Sequence, residues 1–270
     1  MADPLKIGVV GAGAIGAAIA RAVDCGEVPG RLVGICELDD ARREALQASL
    51  GTRVPELDLD ALCAAADVVV EAAAGSVAPT VVKAALTAGC DVLVMSVGGL
   101  LGHDELVDLA RAVGRTIYAP TGAIAALDAI RAALPAGLDS VTLTTTKPPR
   151  GLAGAPWLVQ NDLDLAGLTA PTLIFEGSAS EAVKAFPANV NVAAALSLAG
   201  IGAERTQVRV VADPTSSRNC HRIEATGGFG RLEVTVENVP SPDNPKTSYL
   251  AALSAMALLK RLSSPLVVGS

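Results

Sequence analysis

Through roughly its first 120 residues the chain alternates apolar runs of strand length with alanine-rich stretches of helical length. Runs that stay apolar on both faces suit strands of a buried parallel sheet, and the stretches between them suit the crossover helices such a sheet requires. The pattern predicts strands at Leu5–Val10, Leu32–Cys36, Asp67–Val70, Asp91–Met95 and Thr116–Ala119. Helices are predicted near Ala14–Val23, Asp40–Ser49, Pro79–Ala88 and Asp104–Val113. The punctuation agrees: Asp39 or Asp40 can cap the second helix, Pro79 suits a first helical turn, and Gly89 and Gly114 stand where left-handed C-terminal positions are wanted.

After Gly122 the pattern changes to a helix at Ala125–Leu134 and then longer β-rich pieces at Val141–Lys147, Thr172–Phe175, Gln207–Ala212, His221–Thr226 and Arg231–Glu237. Alternation such as V-T-L-T-T-T from Val141 and L-E-V-T-V from Leu232 marks strands with one buried face. A turn-rich segment, Ser241 to Ser248, precedes a last helix from about Lys246 to Leu262. The spacing of Leu250, Leu253, Met256 and Leu259 predicts that this helix packs back onto the first domain. The expected fold is therefore α/β: a doubly wound parallel sheet over residues 1–121 completed by 241–270, with a second, α+β domain containing a mixed sheet over 122–240.

Composition narrows the function. Lys and Arg number 21 against 28 Asp and Glu, a net charge of −7, and Trp, Tyr and Phe together make up 2% of the chain, so neither a basic footprint nor a stacking platform for nucleic acid is present. The longest uncharged run, Ala185 to Ala203, is interrupted by proline and glycine, which argues against a membrane span. The start, MADPLKIGVV, has no basic n-region and leads straight into a glycine motif, so a cytoplasmic location is expected. Cys25, Cys36, Cys63, Cys90 and Cys220 are odd in number and scattered, with no metal-binding spacing, and are expected to be buried reduced thiols.

The sharpest local signal is Gly11-Ala-Gly13-Ala-Ile-Gly16, set directly after a strand and before an amphipathic helix. Gly11 permits the tight turn, Gly13 lets main chain approach a pyrophosphate, and Gly16 allows close packing of helix on strand, the Rossmann-like arrangement for a dinucleotide. Gly11, Gly13, Ala14, Ile15 and Gly16 are the expected cofactor contacts, helped by the positive helix N-terminus. Glu37, at the end of the second strand, is placed to accept hydrogen bonds from both ribose hydroxyls and to repel a 2′-phosphate. NAD is favoured, with NADP as the alternative because Arg42 and Arg43 follow closely.

A dinucleotide alone is compatible with hydride transfer, with sensing, and with non-redox use, so the second domain must decide. His103, beside Asp104 and Glu105 at a helix start, reads as a surface or capping residue. His221 opens a strand after a polar loop, where an imidazole can take and return a proton. Cys220 beside it points to the opposite strand face, which argues against a thiolate-imidazole dyad. Asn189 and Asn191 flank Val190 at a helix start and can cap it or meet a carboxamide, while Lys147 and the Lys246-Thr247 segment are candidates for holding a substrate carboxylate. Lys246 in a first helical turn would oppose the helix dipole, which suggests an anion there.

Taken together, GAGAIG, TGAIAALDAI, FPANVNVAAALSLAG, DPTSSRNCHRIEATGGFG and VENVPSPDNPKTSYLAALS resemble the L-aspartate dehydrogenase family over nearly the whole chain. The glycine loop is common to many enzymes, whereas the NVNVAA, RNCHRIE and PSPDNPKTS segments are specific in combination. The resemblance implies NAD(P)-dependent oxidative deamination of L-aspartate to oxaloacetate and ammonia through iminoaspartate, a route that can feed NAD synthesis. It puts the catalytic histidine at His221 and further cofactor contacts at Ala125 and Asn191. It also implies a Rossmann-like domain completed by the C-terminal helix, and a homodimer. The competing expectations are a related two-domain reductase acting on another small substrate, such as a cyclic imine or a semialdehyde, and a non-enzymatic NAD-sensing regulator, for which no DNA-binding segment is evident.

Overall fold

The computed structural model describes residues 3–187, 191–242 and 244–269. They form two compact units, one running up to Pro120 and joined by Ala251–Val268, the other Thr121–Leu250 with Gly269.

In the first unit the elements follow in the order β1 (Lys6–Val10), α1 (Ala14–Asp24), β2 (Arg31–Cys36), α2 (Asp40–Ala48), α3 (Leu59–Ala65), β3 (Val68–Glu71), α4 (Ala78–Thr87), β4 (Asp91–Val94), α5 (Asp104–Val113) and β5 (Ile117–Tyr118). The five strands pair in parallel in the order β2-β1-β3-β4-β5. Alternate residues feed two cores: Val68, Val70 and Leu93 pack with Ile19 and Val23 of α1, whereas Val69, Val92 and Val94 pack with Val81, Val82 and Leu86 of α4. Helices on both faces make the sheet doubly wound, and the strand order reverses at β1, where such folds place their ligands. Asp39 caps α2 by accepting from the Arg42 N–H at 3.0 Å. The short helix α3 falls in a stretch for which the periodicity predicted no element; Asp58 caps it.

The second unit contains α6 (Leu127–Ala133), β6 (Leu138–Lys147), α7 (Pro149–Leu152), α8 (Pro156–Gln160), β7 (Thr172–Ser178), α9 (Ala179–Ala185), α10 (Asn191–Ala199), β8 (Gln207–Ala212), β9 (Asn219–Gly227), β10 (Gly230–Asn238), β11 (Pro240–Ser241) and β12 (Asn244–Ser248). Its sheet runs β10-β9-β6-β8-β7, parallel only between β6 and β8. Ser178 and Glu181 form a reciprocal capping box at the start of α9, and α10 is buried almost throughout.

The last helix, α11 (Tyr249–Leu262), packs Ala252, Ala255, Met256 and Leu259 into the core formed with β1 and α1, as the sequence predicts. Two alanines rather than leucines fill the centre of its stripe. Its start is a correction: Asn244–Ser248, expected as the first helical turn, is the strand β12 paired with β11, so Lys246 and Thr247 do not lie at a helix N-terminus and the dipole argument for an anion there lapses. Residues 241–250 accordingly fall with the second unit. The thiols are free, but only Cys63 and Cys90 are buried, while Cys36 and Cys220 are half-buried and Cys25, at the end of α1, is exposed. Among the described residues, no helix is long and apolar enough to cross a membrane.

Candidate active site

The glycine loop leaves the carboxyl end of β1. Gly11 has a φ of +94°, and a Cβ there would meet the Ala72 carbonyl oxygen at 2.6 Å; a Cβ on Gly16 would run into the Gly11 carbonyl. Around Gly13, by contrast, an added Cβ finds nothing within 4 Å. Two glycines are thus demanded by the chain's own packing, and the third faces a space the protein does not fill, as a pyrophosphate cradle requires. Gly13 caps α1 without any side-chain hydrogen bond, and no acidic residue occupies the first turn, so the N–H groups of Ala14 and Ile15 belong to a helix end suited to phosphate. The residues present therefore fit a nicotinamide dinucleotide.

Glu37 closes onto this loop. Its Oε2 accepts from Ala12 N–H at 2.6 Å and its Oε1 from Asp39 N–H at 2.9 Å. Burial raises its pKa, but the main-chain N–H groups of Ala12, Asp39 and Leu38, with Arg42 nearby, outweigh that and hold the carboxyl below its ordinary value. Arg43 is engaged by Asp40 and by Glu56 at 3.0 Å, and Arg42 lies 3.5 Å from Asp39. Directly after Glu37 stands Leu38, 96% exposed.

A second carboxylate escaped the sequence reading. Glu71 ends β3 fully buried, accepting from Ala73 N–H at 2.9 Å and Ser96 N–H at 3.0 Å, so it ties the loops after β3 and β4 together. Burial raises its pKa despite those donors. Nothing in a strand-end glutamate of the run VVVE distinguishes it in sequence from an exposed charge.

In the second unit the buried face of the sheet changes character along the strands. On β6, Val141 and Leu143 give way to Thr145 and Lys147; on the antiparallel neighbour β9, Ala225 and Ile223 give way to His221 and Asn219. The register sets Thr145 directly opposite His221, and Thr145 Oγ1 lies 3.1 Å from His221 Nδ1. His221 is 2% exposed and Lys147 5%. Desolvation, followed by the charge of Lys147, pushes the imidazole pKa down to about 3, and desolvation brings the Lys147 ammonium down to about 8. The imidazole is neutral at pH 7 beside a cation. Lys147, a candidate from sequence for holding a substrate carboxylate, is buried.

Asn219 donates to Ser248 Oγ at 3.2 Å, fastening β9 to the end of β12, and Asn238 donates to the Ala123 carbonyl at 2.9 Å. Ala123 belongs to the segment carrying Ala125, which is half-buried and followed by Ala126 at a left-handed φ of +68°. Asn191 is the first residue of α10, and Thr247 is half-buried in β12. Asn189 and the side chain of Lys246 lie outside the described residues. His103 stands partly exposed at the N-cap position of α5, its Nδ1 2.7 Å from Glu105 Oε1, but its side chain makes no capping hydrogen bond. A hollow of about 510 Å³ lies over α7 and α8, lined by Pro149, Arg150, Leu158, Val159, Asp162 and Leu163 among others, and includes none of the expected site residues. Among the described residues no group of three or more His, Cys, Asp or Glu could hold a metal ion.

With this geometry in place, likeness to known proteins is informative. Residues 128–262 match the family model for the C-terminal part of aspartate dehydrogenase, and residues 11–120 that for the NAD-binding domain of homoserine dehydrogenase. The chain is 49% identical to L-aspartate dehydrogenase of Methanosarcina mazei, over 98% of this chain and 100% of that one. It is 51% identical to the Methanocella arvoryzae protein of the same name, over 98% and 99%. In fold it is similar to the crystal structure of aspartate dehydrogenase from Thermotoga maritima, with a TM-score of 0.79 at 24% identity over 98% and 99% of the two chains.

Proposed function

This chain belongs to the L-aspartate dehydrogenase family, and on that premise we propose that it catalyses the NAD(P)-dependent oxidative deamination of L-aspartate to oxaloacetate and ammonia, with His221 as the proton carrier. The observation that carries the reading is the neutral, buried imidazole at the polar end of an otherwise apolar sheet face, beside a buried lysine. The nicotinamide cofactor, when bound, supplies the acceptor for the hydride that leaves Cα. Iminoaspartate then needs water at that carbon. A neutral His221 can take the proton of the attacking water and hand it to the departing ammonia, a general acid-base step usually worth about 10²–10⁴ in rate. Lys147 is the proposed holder of a substrate carboxylate, by charge rather than by a bidentate fork. A dicarboxylate against Lys147 would also offset the positive charge that depresses His221 and so raise the basicity of the imidazole when substrate is present. Asn189, Lys246 and Thr247 remain proposed substrate contacts, and Ala125 and Asn191 proposed contacts to the cofactor.

At the other end, Gly11, Gly13, Ala14, Ile15 and Gly16 are proposed to hold the pyrophosphate and Glu37 the adenosine ribose, with exposed Leu38 beside it available to the adenine face. A carboxylate kept ionised by main-chain donors, with Arg43 engaged by Asp40 and Glu56, supports NAD over NADP. The proposed protein is a cytoplasmic homodimer, and the polar open face of the second sheet, where Arg222 and Arg231 interleave with Glu224 and Glu233, supports a self-complementary contact. A role in supplying NAD synthesis is part of the same proposal.

The test is the absorbance of reduced cofactor followed with a panel of amino acids. Aspartate is expected to exceed every other substrate by a wide margin. Turnover of a different amino acid or imine, with none on aspartate, would overturn the reading.

A further inference from the structure

Four threonines crowd the end of β6, and three of them, Thr142, Thr144 and Thr146, lie on the half-exposed face where a β-branched polar residue is ordinary. Thr145 is different. It stands on the buried face between Leu143 and Lys147, 4% exposed, where valine would fill the same volume without a hydroxyl to satisfy. The partner its hydroxyl finds is the imidazole opposite, at 3.1 Å from Nδ1.

We propose that Thr145 is a positioning residue whose hydroxyl oxygen accepts the Nδ1–H of His221, fixing the ring and leaving the lone pair on Nε2 as the proton acceptor. This deepens the reading of His221 as the proton carrier and rests on it. A neutral imidazole has one N–H and one lone pair, and whichever nitrogen donates to a fixed partner decides where the base lies. The register sets Thr145 opposite His221, and its oxygen lies against Nδ1, the ring nitrogen nearer the backbone, rather than Nε2. When Nε2 takes a proton from water, both nitrogens carry hydrogen, the Nδ1–H is more acidic, and its bond to Thr145 strengthens, so the contact favours the charged form that the step creates. Lys147, from the same strand, works in the opposite direction by repelling that charge.

The experiment combines rates with a direct reading of the ring. The chain has only two histidines, so a His103→Gln background leaves one imidazole, whose ¹⁵N shifts report which nitrogen is protonated. In that background His221 should show a protonated Nδ1 and a bare Nε2. Thr145→Val should disturb this pattern and lower kcat on aspartate by about tenfold, the loss expected of one hydrogen bond to a group that becomes charged, with KM for cofactor unchanged. Thr145→Ser, which keeps the hydroxyl, should restore both the shifts and most of the rate. A protonated Nε2 in the parent, or a Thr145→Val enzyme with unaltered shifts and rate, would overturn the positioning role while leaving His221 standing. Full turnover in His221→Asn would instead remove the reading beneath it.

Discussion

The two units hold their ionisable groups by opposite means. In the first, Glu37 is fixed by main-chain N–H groups of Ala12 and Asp39, and the result is a carboxylate that stays ionised. In the second, His221 and Lys147 are held on a buried sheet face, and desolvation strips both of part of their affinity for protons. Main-chain donors make a permanent charge suited to recognition. Desolvation disfavours the charged forms, so it leaves the imidazole with a free lone pair at neutral pH, which suits chemistry. A dehydrogenase that must both select a nucleotide and hydrolyse an imine needs one of each.

The contrast breaks most visibly at His221. His221→Asn should lower turnover on aspartate by about 10²–10⁴, with NAD affinity intact in a binding titration. The same variant bears on stability. The imidazole pKa is about 3 folded against an ordinary 6.5, so between those values the unfolded chain binds the extra proton and stability falls as pH drops through that window. Thermal midpoints measured across it should fall less steeply for His221→Asn than for the parent, and parallel curves would mean the imidazole is not desolvated.

Lys147→Met comes next. Removing the buried ammonium should raise KM for aspartate by about 10- to 100-fold, as expected for a hydrogen bond to a charged group, and leave cofactor binding alone. It should also raise the pKa of His221, because a neighbouring positive charge is gone. An unchanged KM would move carboxylate binding elsewhere. In the parent, loss of the Lys147 proton above about pH 8 should weaken aspartate binding, and KM should climb there.

Glu37→Ser tests the other pole. The ratio of kcat/KM for NAD over NADP should drop by about tenfold or more, since the charged acceptor is lost and the repulsion of a 2′-phosphate goes with it. A constant ratio would mean that Glu37 serves only to tie the glycine loop. The smallest effect is expected at Ala126, whose left-handed φ of +68° glycine adopts freely. Ala126→Gly should change stability by no more than about 1 kcal/mol, in the stabilising direction, and a marked loss would show that the methyl is needed for packing.

Much of the first unit was legible because its signals are local. A strand, a glycine turn and a helix start lie within a dozen consecutive residues, and Gly11 and Gly16 have steric duties that a residue with a Cβ cannot perform. The last helix was legible in its packing face but not in its start: S-P-D-N-P-K-T-S carries turn and cap residues that read equally well as the entry to a helix, and the pairing of β11 with β12 claims them instead. α3 was too short to show a period. Glu71 was missed since its partners, Ala73 and Ser96, come from the ends of two different strands.

By itself the sequence determined the dinucleotide loop and the alternation of strands and helices around it, and it offered His221 and Lys147 among several polar candidates, because these depend on residue type and near neighbours. Only the tertiary structure decided what those residues are chemically. Thr145 and His221 stand 76 positions apart, and they meet because β6 and β9 pair in one antiparallel register. A shift of that register by one residue would turn His221 to the open face, leave Cys220 in its place, and remove the desolvation that keeps the imidazole neutral. Burial is a property of the packed sheet, so no reading of the linear chain could have supplied it.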